Sequence, residues 1–324
     1  MKNIIKKIGK KFLPLFLALT LLTIPSCKNK SKTIERVKIN GIEYLIQGDK
    51  LEQITKDDDR KIRLGIISDV HGYCDNVEYF SQKFIEKGIN AIIINGDIAQ
   101  HFRQKKNPNW SDYDEIYNCI KAVAKTKLPV FVLPGNNDPK KVFEKALKDL
   151  KKKYPNVFNL AEIRALDLDD ADIVSNPYGN DNGFSYFNFS FTASNNKIFN
   201  EIIKYAEMLK SDNDPEILLS HQPPRTPGNC IDDIFNGKDV GNHYISEAMK
   251  KAGINFGVFG HIHEARGGES NGNCVEEGKF YSQLYVNPGS ASPWQDIEGR
   301  KFYGSAAILE IDDGKARYWI IENN

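Results

Sequence analysis

Four of the chain's six histidines fall where short apolar runs end. "IRLGIISDVHG" closes on Asp69 and His71, "EILLSHQPP" on His221, and "INFGVFGHIHE" on His261 and His263. Two further runs close the same way, "INAIIINGD" on Gly96-Asp97 and "LPVFVLPGNND" on Gly135-Asn136. Aspartate oxygens and neutral imidazoles are borderline-hard ligands, suited to Mn²⁺, Fe²⁺ or Zn²⁺. No thiolate stands beside them, which disfavours a structural zinc site. An Asp-x-His pair at a strand end can turn both side chains to one pole where the chain breaks at Gly72. A single carboxylate, Asp97, is placed to bridge two ions roughly 3.5–4 Å apart. Gly96, Gly135 and Gly260 are expected to permit the tight turns that carry the donors inward. The bland reading, a set of unrelated caps and turns, requires five strand ends to agree by chance.

The elements that must position these residues follow a regular order. "IRLGIIS", "INAIIING" and "LPVFVLPG" read as buried strands. Helical spacing separates them over residues 76–88 and 111–126, the second opening on Ser111 and Asp112 as cap residues. A lysine-rich surface helix follows from Pro139, which suits a first helical turn. Strand, helix, strand, helix, strand implies a parallel sheet with right-handed crossovers. Open sheets of this kind bind ligands at the carboxyl ends of their strands. In the second half, 183–191 alternates like a half-exposed strand, and 197–211 and 244–253 read as helices. Residues 216–220, 254–260, 285–289, 304–311 and 316–322 read as strands. The expectation is one α/β domain with two sheets over 61–324, not two independent domains.

The motif order resembles the calcineurin-like metallophosphoesterase superfamily: D-x-H, G-D, G-N-H-D/E, H, then G-H-x-H. Here it reads Asp69-Val70-His71, Gly96-Asp97, Gly135-Asn136-Asn137-Asp138, His221 and Gly260-His261-Ile262-His263. Each element alone is weak, but five in order over residues 61–322 are specific. The resemblance implies two mixed β-sheets packed face to face and flanked by helices, a four-layer sandwich. It implies two divalent metal ions, with Mn, Fe, Ni or Zn open and manganese a leading choice. One would be held by Asp69, His71, Asp97 and His263, the other by Asp97, Asn136, His221 and His261. It further implies hydrolysis of a phosphate ester by a hydroxide bridging the ions, with Asp69, Asn137 and Asp138 as the catalytic set.

One position departs from the pattern. Asn137 stands where most members have a histidine thought to protonate the leaving oxygen or steady the phosphoryl group. An amide cannot act as a general acid; it can only donate hydrogen bonds. General-acid help is worth roughly 10²–10⁴-fold, so esters with poor leaving groups should suffer most. G-N-x-D variants look like a phosphodiesterase-type branch, and "LLSHQPP", "GHIHEARGG" and "VNPGSAS" look similar to it. Phosphodiesters are therefore the expected substrates. The alternatives are a phosphomonoesterase, a nuclease, or an inactive metal-binding surface protein. Asp138, without a histidine to orient, is left to support Asn137 or the turn.

The N-terminus carries a different signal. Lys2, Lys6, Lys7, Lys10 and Lys11 precede an apolar run, Phe12 to Ile24, that ends at Ser26-Cys27. The run is short for a membrane span but suits a signal-peptide core. The pattern resembles a bacterial lipoprotein signal, cleaved before an acylated cysteine, although Ile24 and Pro25 stand where Leu and a small residue are more usual. Residues 1–27 are thus expected as a signal, with export and a membrane anchor at Cys27. An uncleaved anchor or an amphipathic tail is the plainer alternative. Residues 28–60 read as a tether with a hairpin at Asn40-Gly41. Cys74, Cys119, Cys230 and Cys274 remain; they show no CxxC spacing, and their pairing is left open.

Composition excludes other classes. A formal net charge of +1 gives no overall field for nucleic acid, and no aromatic-basic stripe suggests a nuclease. No GxSxG elbow appears, and "GKD" at 237 lacks the Walker glycines. His101 and His243 read as surface or cap residues, Arg103 and Arg225 as surface charge more than phosphate ligands, and Trp110 and Trp294 as packing.

Overall fold

The computed structural model describes residues 34–100, 105–179, 191–210, 214–228, 230–231, 233–234, 238–239, 241–295 and 299–323. The N-terminal signal with Cys27, His101, Arg103 and nearly all of the strand expected at 183–191 lie outside them. Among the described residues no helix is long and apolar enough to cross a membrane.

The buried strands are apolar on both faces, and each face has its own partner. In Ala91–Asn95 and Val130–Leu133, Ile92, Ile94, Val130 and Val132 pack on helices, while Ile93, Phe131 and Leu133 face a second sheet. That period of two places one sheet between two apolar layers. The outer layer is formed by α1 (Cys74–Glu86), α2 (Asp112–Ala124) and α3 (Lys140–Lys151). The second sheet repeats the arrangement: Ile217 and Leu219 face inward and Leu218 packs under α4 (Asn195–Leu209) and α5 (His243–Ala252). The result is helices, sheet, sheet, helices, the four layers expected.

Among the described residues the first sheet has six strands and the second ten. Lys61–Ile67, Ala91–Asn95, Val130–Leu133 and Val157–Asn159 run parallel, and Ser305–Asp312 and Lys315–Glu322 add antiparallel beside Lys61–Ile67. In the second, Asp172–Asn176, Glu216–Ser220, Phe256–Val258 and Leu284–Asn287 run parallel at the centre. Both sheets therefore present strand carboxyl ends.

Local signals hold where side chains meet backbone. Ser111 caps α2, its hydroxyl accepting from Asp114 N–H while Asp114 accepts from Ser111 N–H, a capping box. Pro139, expected inside the first turn of α3, is its N-cap.

The segment expected as a tether and hairpin is more than that. Ile34–Ile39 and Ile42–Gln47 pair around Asn40-Gly41, both at positive φ. Lys50–Gln53 then pairs parallel with Ala165–Asp167, joining the segment to the ten-stranded sheet. Val37, Ile39, Tyr44, Ile46 and Leu51 enter the inter-sheet core. A free hairpin would leave those side chains in water and be marginal on its own. Thr33–Asn324 forms one compact unit, holding all three apolar cores and both disulfides, Cys74–Cys119 and Cys230–Cys274.

Candidate metal centre

The loops after the strands of the six-stranded sheet are stitched to one another by backbone. Asp69 N–H donates to Gly96 O (3.1 Å), His71 N–H to Asp97 O (2.9 Å) and Gly72 N–H to Ile98 O (2.8 Å). Asp138 adds the third loop: its carboxylate accepts from Ile98 N–H and Ala99 N–H (both 2.9 Å) and Gly135 N–H (2.8 Å). Asp138 was expected in the catalytic set; fully buried and bonded to three backbone donors, it braces the turn and the Asp97 loop. Asn137 N–H donates to Asp97 Oδ1 (2.7 Å), and its side-chain amide donates to Asp97 Oδ2.

The ten-stranded sheet brings the other histidines. His221 Nδ1 lies 2.7 Å from Asn95 O, and a carbonyl can only accept, so that nitrogen carries the proton and Nε2 turns to the carboxylates. Gly260 N–H donates to His221 O (3.1 Å), tying the two histidine loops. His261 N–H donates to Asp69 Oδ2 (3.0 Å), and His261 Nδ1 lies 2.8 Å from Asn136 Oδ1.

These contacts gather the seven donors expected from sequence. Asp69, His71 and His263 form one group, and Asp97, His221 and His261 another, each with ligand atoms within 4.8 Å of one another. Asp97 faces both: Oδ1 is 3.4 Å from His221 Nε2 and Oδ2 is 4.0 Å from His71 Nε2. Asp69 Oδ2 accepts from Ser68 Oγ (2.6 Å) and His261 N–H. Asp69 Oδ1 is buried with no hydrogen-bond partner, 3.3 Å from His263 Nε2, 3.9 Å from His221 Nε2 and 4.0 Å from His71 Nε2. Ligand atoms held about 2.0–2.2 Å from a cation sit at such mutual distances. A buried carboxylate oxygen left bare, ringed by imidazole nitrogens, fits a divalent cation. Asp69, Asp97, His71, His221 and Asn136 are almost fully buried, whereas His261, His263 and Asn137 are partly exposed and mark the open side.

The charges favour cation binding. Burial alone would raise the Asp69 carboxyl, but His221 and His263 outweigh it and hold it down to about 2. Asp97 is likewise lowered, burial being outweighed by His221 and His71. Burial opposes charge on His221, yet Asp97 and Asp69 push it up to about 9; burial and the His221 charge hold His261 down to about 4, as a neutral donor. Burial and the Asp97 charge raise Asp138 to about 7.

Backbone strain marks the same residues. Asp69 (φ 53°), His71 (φ 46°), Asp97 (φ 50°) and His261 (φ 71°) all adopt the left-handed region that non-glycine residues avoid. Such residues cluster at functional sites, where surrounding contacts over-determine them. The expected glycines matter mainly for close approach. A Cβ at Gly135 would fall 2.2 Å from Asp97 N and Oδ1, and one at Gly260 2.0 Å from Ser68 Oγ. Of the three, only Gly96 also requires a positive φ, of 85°.

Four supporting residues were not foreseen: Ser68, Asn95, Asn287 and Ser290. Asn287 Nδ2 donates to Ile231 O and Ile262 O (both 3.1 Å) beside Gly260 O. Ser290 Oγ donates to Asp69 O (3.0 Å). Asn287 and Ser290 fall within "VNPGSAS", noted only as similar to the branch. Of the remaining candidates, His243 begins α5, exposed and 3.2 Å from Glu247. Arg225 is exposed, and Trp294 stacks on Phe302 at 4.3 Å. None of these three joins the donor groups.

Strand-end carboxylates and imidazoles between two stacked sheets define a class, the metal-binding α/β sandwiches. The calcineurin-like phosphoesterase family matches residues 62–265, and the chain belongs to that family. It is a metal-dependent phosphoesterase, a hydrolase acting on phosphoric ester bonds. The protein TT1561 of Thermus thermophilus has a similar fold, with a TM-score of 0.53 and 13% identity over 80% of this chain and 98% of its own. So does a dimetal phosphatase from Danio rerio, with a TM-score of 0.51 and 10% identity over 82% of this chain and all of its own (100%). No curated protein matches the chain.

Proposed function

We propose that the chain is a phosphodiesterase that also accepts activated monoesters, with two cations held by the seven donors. Asp69, His71, Asp97 and His263 hold one, and Asp97, Asn136, His221 and His261 the other. Bound there, divalent cations supply Lewis acidity toward phosphoryl oxygens and acidify a coordinated water. The chain's own residues orient the donors: Asn137 clasps Asp97, Asn95 O fixes the His221 tautomer, and Ser68 fixes Asp69.

The diester reading rests on the resemblance of the Gly135-Asn136-Asn137-Asp138 loop to a phosphodiesterase-type branch, and the Asn137 amide on Asp97 is the observation that carries the preference for activated leaving groups. All four clustered histidines serve as ligands, and Asp138 is tied to backbone donors. Among the described residues no free acid stands at the site, so leaving groups that depart without a proton are favoured. The test compares bis-p-nitrophenyl phosphate with p-nitrophenyl phosphate under Mn²⁺, Ni²⁺, Fe²⁺ and Zn²⁺. A higher kcat/KM for the diester supports the reading; a clear monoesterase preference contradicts it. Absence of diester turnover with every cation would also contradict it.

The same reading places the protein outside the cytoplasm, anchored at Cys27. Beside the basic and apolar N-terminal segment, the two disulfides support it, since together they use every other cysteine and such bonds persist in oxidising compartments. Membrane fractionation with and without Cys27→Ser tests it: the wild-type chain should sediment with membranes and the variant should be released.

A further inference from the structure

Residues 140–153 carry seven lysines and two acids, a formal +5 in a chain whose total is +1. All seven lysines are exposed, while Phe143, Ala146, Leu147 and Leu150 fix the apolar face of α3 in the core. Lys141, Lys145, Lys148 and Lys152 follow one another at spacings of four, three and four. They form a single stripe about 16 Å long at 1.5 Å per residue. Lys141 and Lys148 have no acidic partner among the described residues, and Lys145 lies over the Tyr113 ring (4.9 Å). No metal-site donor lies on this helix.

The position of the stripe limits what it faces. Lys151 Nζ, at the carboxyl end of α3, is 2.8 Å from Glu35 Oε2. Glu35 is the second residue of the first described strand, so the chain enters the compact unit beside this helix. Only six residues separate Cys27 from Ile34, so the seven Cα–Cα steps reach at most about 25 Å. A lipid at Cys27 would hold the lysine stripe within a short distance of the bilayer it enters. We propose that the α3 lysine stripe docks on the anionic phospholipid surface of the membrane to which the chain is anchored. A basic patch adds electrostatic attraction to an anionic lipid surface on top of the lipid anchor.

The proposal rests on the anchored reading, and its test is separable from it. Thr33–Asn324, which lacks the anchor, is sedimented with phosphatidylcholine vesicles containing rising fractions of phosphatidylglycerol. Binding should rise with the anionic fraction and fall as salt shortens the Debye length to about 8 Å at 0.15 M. Lys141→Ser, Lys145→Ser, Lys148→Ser and Lys152→Ser together should weaken it roughly 10²–10³-fold, at about fivefold per lysine near such a surface. Hydrolysis of bis-p-nitrophenyl phosphate by the quadruple variant should be unchanged, showing that it folds. Equal binding to neutral vesicles, undiminished binding by the variant, or no binding to anionic vesicles at low salt would overturn the proposal. Capture by duplex DNA with none by vesicles would also overturn it, assigning the stripe to a soluble polyanion. Full-chain fractionation with Cys27→Ser, done after a high-salt wash that releases electrostatic attachment by the stripe, reports on the anchor alone, whichever way the vesicle result falls.

Discussion

The six-stranded sheet contributes both aspartates, Asn136 and a single histidine to the metal centre, while the ten-stranded sheet contributes only histidines. The two sides are also held differently. On the first, two loops are stitched backbone to backbone, the Asp138 carboxylate ties in the third, and Ser290 adds a bond to Asp69 O. On the second, the His261-His263 loop has fewer ties: Gly260 N–H to His221 O, His261 N–H to Asp69 Oδ2, and the side-chain amide of Asn287. Three of the four donors in left-handed backbone belong to the heavily stitched side. Strain is stored where the network is dense enough to hold it, and neither sheet alone offers a complete donor set for either cation.

That contrast can be broken in graded steps. Asp97 faces both groups, so Asp97→Asn should remove the centre: kcat/KM should fall by at least roughly 10²–10³-fold, the scale for losing one preorganised electrostatic group, and cation-induced thermal stabilisation should vanish. Loss of only one cation's stabilisation would show that Asp97 does not bridge. Next comes Asn287→Ala, which should weaken cation binding about 10–100-fold, as for other outer-shell partners. It should also cost about 1–3 kcal/mol for the carbonyls left without donors, measured by titration and denaturant melts. Asn137→His probes the stitched side chemically. Hydrolysis of esters with poor leaving groups should rise, by up to about 10²-fold if the new imidazole acts as a modest general acid, while bis-p-nitrophenyl phosphate turnover changes little. Ser290→Ala should have the smallest effect, about 1 kcal/mol or less of stability, because Ala291 N–H and Ser292 N–H still hold the same loop. If Ser290→Ala damages cation binding as much as Asn287→Ala, the contrast between the sides is wrong.

The donors were legible in the sequence because each follows an apolar run that a buried strand requires. A strand period of two, then a polar break, places a side chain at the sheet's carboxyl end whatever the details of packing. The layer order was legible for the same reason. Ser68, Asn95 and Asn287 were not, since a buried polar residue bonded to backbone leaves no periodic trace. Ala165–Asp167, Gly267–Ser270 and Asn273–Val275 were missed as strands because three or four residues carry too little pattern to separate from a loop. The reading of residues 28–60 as a tether with a hairpin was incomplete through a tertiary effect: the alternation showed the hairpin, but not the sheet edge at Ala165–Asp167 that receives it. Cysteine pairings at sequence separations of 45 and 44 residues depend on which helices and strands become neighbours, which spacing does not reveal.

The central claim is that donors from both sheets hold two cations around Asp97. Equilibrium titration of metal-stripped Thr33–Asn324 with Mn²⁺ tests it most directly. Two cations should bind per chain, with phosphoesterase activity following their occupancy, and neither binding event should remain intact in Asp97→Asn. A single bound cation that supports full activity, or two that bind unchanged in Asp97→Asn, would contradict the claim.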